Sequence, residues 1–178
     1  MNNLKKIVTG FAFAASLAAG NAMAATQGSL GADSTGTTDV TLEIADRVQI
    51  TSISDIVLGA WSGNGDLVGS TDFCVYRSGG DDYQLTLTAD TGSFVVESAT
   101  TLDSIAFSAN VDDDLDASDG ETLAYNTASA VALTGSNSFT CGGNDNAQLE
   151  VTFAEAALQA ASSAADYQAT VTILVEPI

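Results

Sequence analysis

The chain has 178 residues, with 4 basic side chains, 23 acidic side chains and no histidine, which gives a formal net charge of −19 at pH 7. Because so acidic a surface repels nucleic acids and anionic membrane surfaces, those two classes of partner are excluded. With no histidine to act as a general base, we expect neither an enzyme nor a bound cofactor.

The first 24 residues predict export. Lys5 and Lys6 precede an apolar run, and Ala22-Met23-Ala24 forms an A-x-A site just before Ala25. This arrangement is typical of a secretory signal peptide, and the apolar run is too short for a transmembrane helix. We therefore predict a signal peptide over residues 1–24, export through the periplasm, no membrane span and one domain in the remaining chain.

The segment after the signal peptide divides into two parts. Residues 25–38 are rich in Gly, Ser and Thr and predict a flexible leader. From residue 39 onward, apolar and polar positions alternate, so Val40, Leu42 and Ile44 share one face of an extended segment. The sequence leaves two alternatives open: this segment pairs within its own sheet, or it is donated to another molecule.

Period-two alternation continues through most of the remaining chain, and clusters of Gly, Asn, Asp and Ser separate the alternating stretches. This pattern predicts an all-β antiparallel sandwich. The alanine-rich residues 154–165 predict a crossover with one or two helical turns before the last strand. The clearest predicted strands are residues 48–50, 83–87, 149–153 and 167–175.

Cys74 and Cys141 are the only cysteines, so only one connectivity is possible within the chain. In an exported protein these two cysteines are expected to form a structural disulfide. The bond would close a loop of about 66 residues, which the chain-entropy model values at about 4 kcal/mol.

Several short motifs follow one another in a familiar order. Residues 50–59 end in a D-hydrophobic-x-hydrophobic-G turn, and Cys74 is followed by Gly79-Gly80 and a Y-x-L-x-hydrophobic hairpin strand over residues 83–87. Residues 104–107 form the strand before a long loop, and residues 166–175 contain the pattern Y-x-x-T-V-T-hydrophobic-x-V. In these features the chain resembles the spore-coat-U-like pilins of archaic chaperone–usher pathways.

The resemblance implies an immunoglobulin-like β-sandwich over residues 47–178 that lacks its last strand and is completed by donor-strand complementation. Residues 25–46 would supply the leader and donor strand, with Val40, Leu42 and Ile44 entering a groove on the next subunit. The implied partners are other copies or related pilins, a periplasmic chaperone and an outer-membrane usher. The implied function is that of a structural subunit of an extracellular pilus at the cell surface, serving adhesion or biofilm formation.

A self-contained secreted binding module, dependent on glycan or calcium, is the alternative function. The acidic run over residues 112–121 suggests calcium, but an EF-hand loop would need glycine where Ala117 or Asp119 stands, so we predict a solvated loop and no metal site. Trp61 is either a cap on one end of the sandwich core or a stacking platform for a glycan.

Overall fold

The computed structural model describes residues 25–116 and 119–178. The predicted signal peptide lies outside the described residues. The chain divides into two compact units, Met1–Ile44 and Ala45–Ile178. In the described part of the first unit, Thr26 and Thr37 exchange two backbone hydrogen bonds of 3.1 Å.

The second unit is built almost entirely of strands. Every strand pair in it is antiparallel, which confirms the predicted all-β, sandwich-like fold. Its described elements are β1 (Val48–Thr51), β2 (Leu67–Arg77), β3 (Asp82–Ala89), β4 (Val95–Ser98), β5 (Ser104–Ala106), β6 (Ser108–Asp112), β7 (Glu121–Leu123), β8 (Leu133–Thr134), β9 (Ala147–Phe153), α1 (Glu155–Ala160), β10 (Tyr167–Gln168) and β11 (Val171–Pro177).

The strands form one five-stranded sheet and two three-stranded sheets. The larger sheet has the order β1-β2-β9-β6-β7, and the smaller ones have the orders β11-β3-β8 and β10-β4-β5. Strand β9 is central, since Val151 pairs with Gly69 of β2 on one side and with Ala109 of β6 on the other.

The core lies between the sheets and is supplied by alternate residues of their strands. Burial of these apolar side chains provides most of the driving force for folding, at roughly 25 cal/mol per Å². Its completely buried members come from β2, β3, β6 and β9: Phe73, Val75, Tyr83, Leu85, Leu87, Ala109 and Ala147.

The end of the chain differs from the sequence prediction in one respect. The predicted single strand over residues 167–175 is two strands, because β10 pairs with β4 and β11 pairs with β3. Asp90, in the turn after β3, forms two hydrogen bonds with Thr170, between β10 and β11. Its Oδ1 accepts the Thr170 N–H at 2.9 Å, and its own N–H donates to the Thr170 carbonyl at 3.1 Å.

Helix α1 lies in the predicted crossover and begins at a side-chain cap. Asp66 Oδ1 accepts the N–H of Glu155 at 2.7 Å, which satisfies one of the free donors at the helix start. Ala157 and Leu158 pack against the core. The short helix therefore covers one end of the sandwich before the chain returns to the sheets.

The predicted disulfide is confirmed: Cys74 of β2 is bonded to Cys141 in the turn before β9. We expect reduction of the wild-type protein to lower the free energy of unfolding by about 2–4 kcal/mol, because the reduced unfolded chain gains conformational entropy. Urea titration with and without reductant measures this, and a Cys74→Ala/Cys141→Ala variant controls for direct effects of the reductant. Two freely alkylated thiols in the non-reduced protein would contradict the bond.

Candidate functional site

Two edge strands of the second unit lie side by side. Strand β1 is the end strand of the five-stranded sheet, and β11 is the end strand of its three-stranded sheet. They contact each other, yet among the described strands β1 pairs only with β2 and β11 pairs only with β3. Both therefore keep an edge whose backbone N–H and C=O groups are open to a further strand.

Near the start of β11 the sandwich has a groove with a cavity volume of about 1040 Å³, to which β11 contributes Val171 and β1 contributes no residue. One wall is the extended segment over residues 56–61. The opposite wall runs from Leu158 in α1, through residues 161–165 and 167–169, to Val171 at the start of β11.

The floor of the groove is part of the hydrophobic core. Ile105, Phe107, Val151 and Phe153 line the groove and are each less than 9% exposed. The rings of Phe107 and Phe153 lie 5.4 Å apart between centroids, and Phe94 stacks on Phe107 at the same distance. The groove therefore opens directly onto the packed aromatic interior of the sandwich.

None of the residues that line the groove is charged. This is unusual for a chain with 23 acidic residues, whose carboxylates would otherwise be expected on any solvent-facing surface of this size. An exposed apolar, uncharged groove is a typical feature of a binding surface.

The first wall depends on a glycine in β2. Residues 52–66 form no strand, yet Ile56 and Leu58 pack toward the core over Gly69. A Cβ atom at Gly69 would lie 2.4 Å from Leu58 Cδ2 and 2.8 Å from Ile56 Cγ2. Val57, between them, is 87% exposed, so this wall is an alternating, strand-like segment.

The second wall is tied to the turn between β4 and β5 by two carboxylates. Asp103 Oδ2 accepts the Ser162 N–H at 2.7 Å and the Tyr167 hydroxyl at 3.4 Å. Asp166 accepts the Ser98 hydroxyl at 2.6 Å and both the hydroxyl and the N–H of Thr100 at 2.7 and 3.0 Å. These hydrogen bonds lower the pKa of both carboxyl groups because they stabilise the ionised form.

The three predicted donor side chains are exposed. Val40, Leu42 and Ile44 are 90%, 84% and 78% accessible to solvent. No strand or bridge of the described residues includes positions 39–44, and the first strand begins at Val48. In the described residues, this segment is therefore not the first strand of its own sheet.

The other predicted features have different positions. Trp61 lines the first wall, half-buried, with its indole N–H donating to the Gly65 carbonyl at 2.9 Å. In the acidic run, Asp112 Oδ1 accepts the N–H groups of Asp114 and Leu115 at 3.1 and 2.6 Å, forming a local turn. Over residues 25–116 and 119–178, no three His, Cys, Asp or Glu side chains are placed to hold a metal ion.

The second wall of the groove was not predicted from the sequence. The signal was the stretch over residues 156–165, which contains Ala, Leu, Gln and Ser but no charged residue. In so acidic a chain, such a stretch suggests contact with an apolar surface, and it forms much of α1 and the wall that follows.

Comparison with protein-family models gives no match for this chain, and comparison with curated proteins gives none either. Among the described residues, no helix is long and apolar enough to cross a membrane.

Replacing Gly69 by valine should displace Ile56 and Leu58 and lower the free energy of unfolding by about 1–3 kcal/mol, as overpacking of a core does. Ser70→Val is the matched control, since it adds the same branched side chain to the exposed face of β2. Urea titration gives the stability, and the fluorescence of Trp61, the chain's sole tryptophan, reports on the wall. Equal midpoints for the two variants would contradict this packing.

The two carboxylates also predict a pH dependence. Because the folded-state pKa of Asp103 and Asp166 is lowered, their contribution to stability is complete above the unfolded pKa of about 3.9 and disappears as pH falls through the folded pKa. Each carboxylate uses both oxygens, so Asp103→Asn/Asp166→Asn should lower Tm at neutral pH. The difference in Tm between wild type and variant should approach zero toward pH 2. A difference that stays constant with pH would contradict a stabilising role of the ionised carboxylates. Asp55→Asn, an exposed carboxylate elsewhere, serves as control.

Proposed function

We propose that this protein is a structural subunit of an extracellular fibre, in which residues 39–44 of one copy occupy the groove of the next. The observation that carries the proposal is the uncharged groove that opens onto the core beside the start of β11, on a chain that also presents an unpaired apolar segment. One copy thus contains both halves of a contact.

Strand addition matches the chemistry of both halves. An extended segment placed in the groove would offer backbone N–H and C=O groups to β11 on one side and to residues 53–58 on the other. Its alternate side chains then enter the groove. Val40 and Ile44 lie about 13 Å apart in an extended chain, which is within the length of the seven-residue β11.

The free energy of the contact comes mainly from apolar burial. Full burial of an exposed Val, Leu or Ile side chain contributes about 1.5–3 kcal/mol. Three such side chains and a row of backbone hydrogen bonds can offset the entropy lost when two copies associate. Because no charged residue lines the groove, burying Val40, Leu42 and Ile44 there would remove no charged group from water.

The geometry of the contact favours a fibre over a closed dimer. Because the donor segment and the groove are different surfaces of one chain, the interface is heterologous, and each added copy leaves a new segment and a new groove free. Such head-to-tail contacts generate open filaments unless the rotation between copies happens to close a ring.

The resemblance to spore-coat-U-like pilins adds the finer parts of the proposal. In this reading, the sandwich is immunoglobulin-like and incomplete, a periplasmic chaperone fills the groove before assembly, and an outer-membrane usher exports the growing fibre. The fibre would serve adhesion or biofilm formation at the cell surface and would need no cofactor.

Leu42→Asp in the full chain tests the proposal, because it places a charge in the apolar groove at a cost of several kcal/mol per junction. Fibres on cells that express this variant should be absent or reduced at least tenfold in electron micrographs. Thr41→Asp is the matched control: it adds the same charge to the opposite face of the segment and should leave fibres intact.

Two outcomes would contradict the proposed donor role of residues 39–44. If both variants assemble equally, residues 39–44 are not the donor. If the wild type remains a monomer in which the amides of residues 39–44 resist hydrogen exchange, the segment completes its own sheet, and the self-contained binding module becomes the better description.

A further inference from the structure

We infer that consecutive subunits of this fibre are joined by a single unrestrained residue, Ala45, because an ion pair between Asp46 and Arg77 fixes the chain at the root of the donor segment. This inference rests on the proposed function. It assigns Asp46 and Arg77 a role as positioning residues, which set the geometry between subunits and do not enter the groove.

Arg77 is the buried centre of this anchor. It is the last residue of β2 and is only 4% exposed, and its Nη1 bonds to Asp46 Oδ1. The guanidinium also donates to the carbonyl of Asp82 at 3.2 Å and to the carbonyl of Ile178 at 3.5 Å. A buried guanidinium with several acceptors is held in one orientation, so Asp46 is held with it.

The next residues continue the attachment without a gap. The Arg47 N–H donates to Ser78 Oγ at 2.9 Å, and the Arg47 carbonyl accepts the Ser78 N–H at 2.9 Å. Val48 then begins β1 in register with Arg77. From Asp46 onward, every residue up to the first strand is therefore bonded to the end of β2 or the turn that follows it.

The donor segment ends immediately before this anchor. Ile44 is the last residue of the apolar alternation and is 78% exposed. With Ile44 seated in the neighbouring subunit and Asp46 fixed in its own, only the backbone of Ala45 separates two folded bodies. A linker of one residue has almost none of the freedom of a longer flexible linker, so the angle between subunits is restricted and the fibre is stiff.

Insertion of Gly-Ser-Gly between Ala45 and Asp46 tests this directly. We expect fibres to form but their persistence length, measured from electron micrographs, to fall by about threefold or more, because three flexible residues now join the bodies. The same insertion after Gly31, upstream of the donor segment, is the control and should leave the persistence length unchanged.

Asp46→Asn removes the charge from the anchor while the Arg47–Ser78 hydrogen bonds remain, so it should produce a smaller decrease in persistence length than the insertion. It should also lower Tm, because the buried Arg77 guanidinium loses its carboxylate partner. Fibres of equal stiffness from both insertion variants would overturn the inference and leave the proposed function standing. Loss of fibres from the Ala45 insertion alone would also overturn it, since the joint would then be part of groove docking. Absence of fibres from the wild type would refute the proposed function itself.

Discussion

Backbone hydrogen bonding at two sheet edges is the constraint on which the rest of this structure depends. A strand at the edge of a sheet leaves half of its N–H and C=O groups without a ladder partner, and most proteins cover or charge such edges. Here β1 and β11 contact each other and each keeps a free edge, and the uncharged groove begins at Val171, the first residue of β11. In the proposed fibre, one added extended segment would pair with the free edge of β11 and cover the groove above the buried rings of Phe107 and Phe153.

The net negative charge of the chain would oppose the proposed contact between two copies. Two copies, each with a large negative charge, repel each other at low ionic strength, and the repulsion weakens as the Debye length falls with added salt. The groove contains no charged residue, so it offers no ion pairs to compensate. In the proposed fibre, association between copies would therefore depend on apolar burial and backbone hydrogen bonds, and added salt would favour it.

Many of the carboxylates nevertheless have structural roles as acceptors of backbone N–H groups. Asp66 caps α1, Asp90 holds Thr170 where the chain changes sheets, and Asp103 holds Ser162 in the second wall. An ionised carboxylate accepts such hydrogen bonds strongly, which suits loops that contain few apolar side chains. The acidic composition thus gives the chain its surface charge and also fixes the loops that frame the groove.

Alternation along the sequence determined the strand composition of this protein, and the presence of only two cysteines determined the connectivity of its disulfide. The sequence was sufficient for the strands and the disulfide because the alternation of side chains and the number of cysteines can be read without knowing which distant residues are in contact. Only the tertiary structure decided that residues 167–175 divide between two sheets, where Asp90 forms hydrogen bonds with Thr170. It also decided that residues 56–61 line a groove, because Ile56 and Leu58 occupy the space that the absence of a side chain at Gly69 leaves free. It also decided that residues 39–44, whose alternation equals that of any strand, are unpaired in the described chain, because a strand exists only where another segment supplies its hydrogen-bond partners.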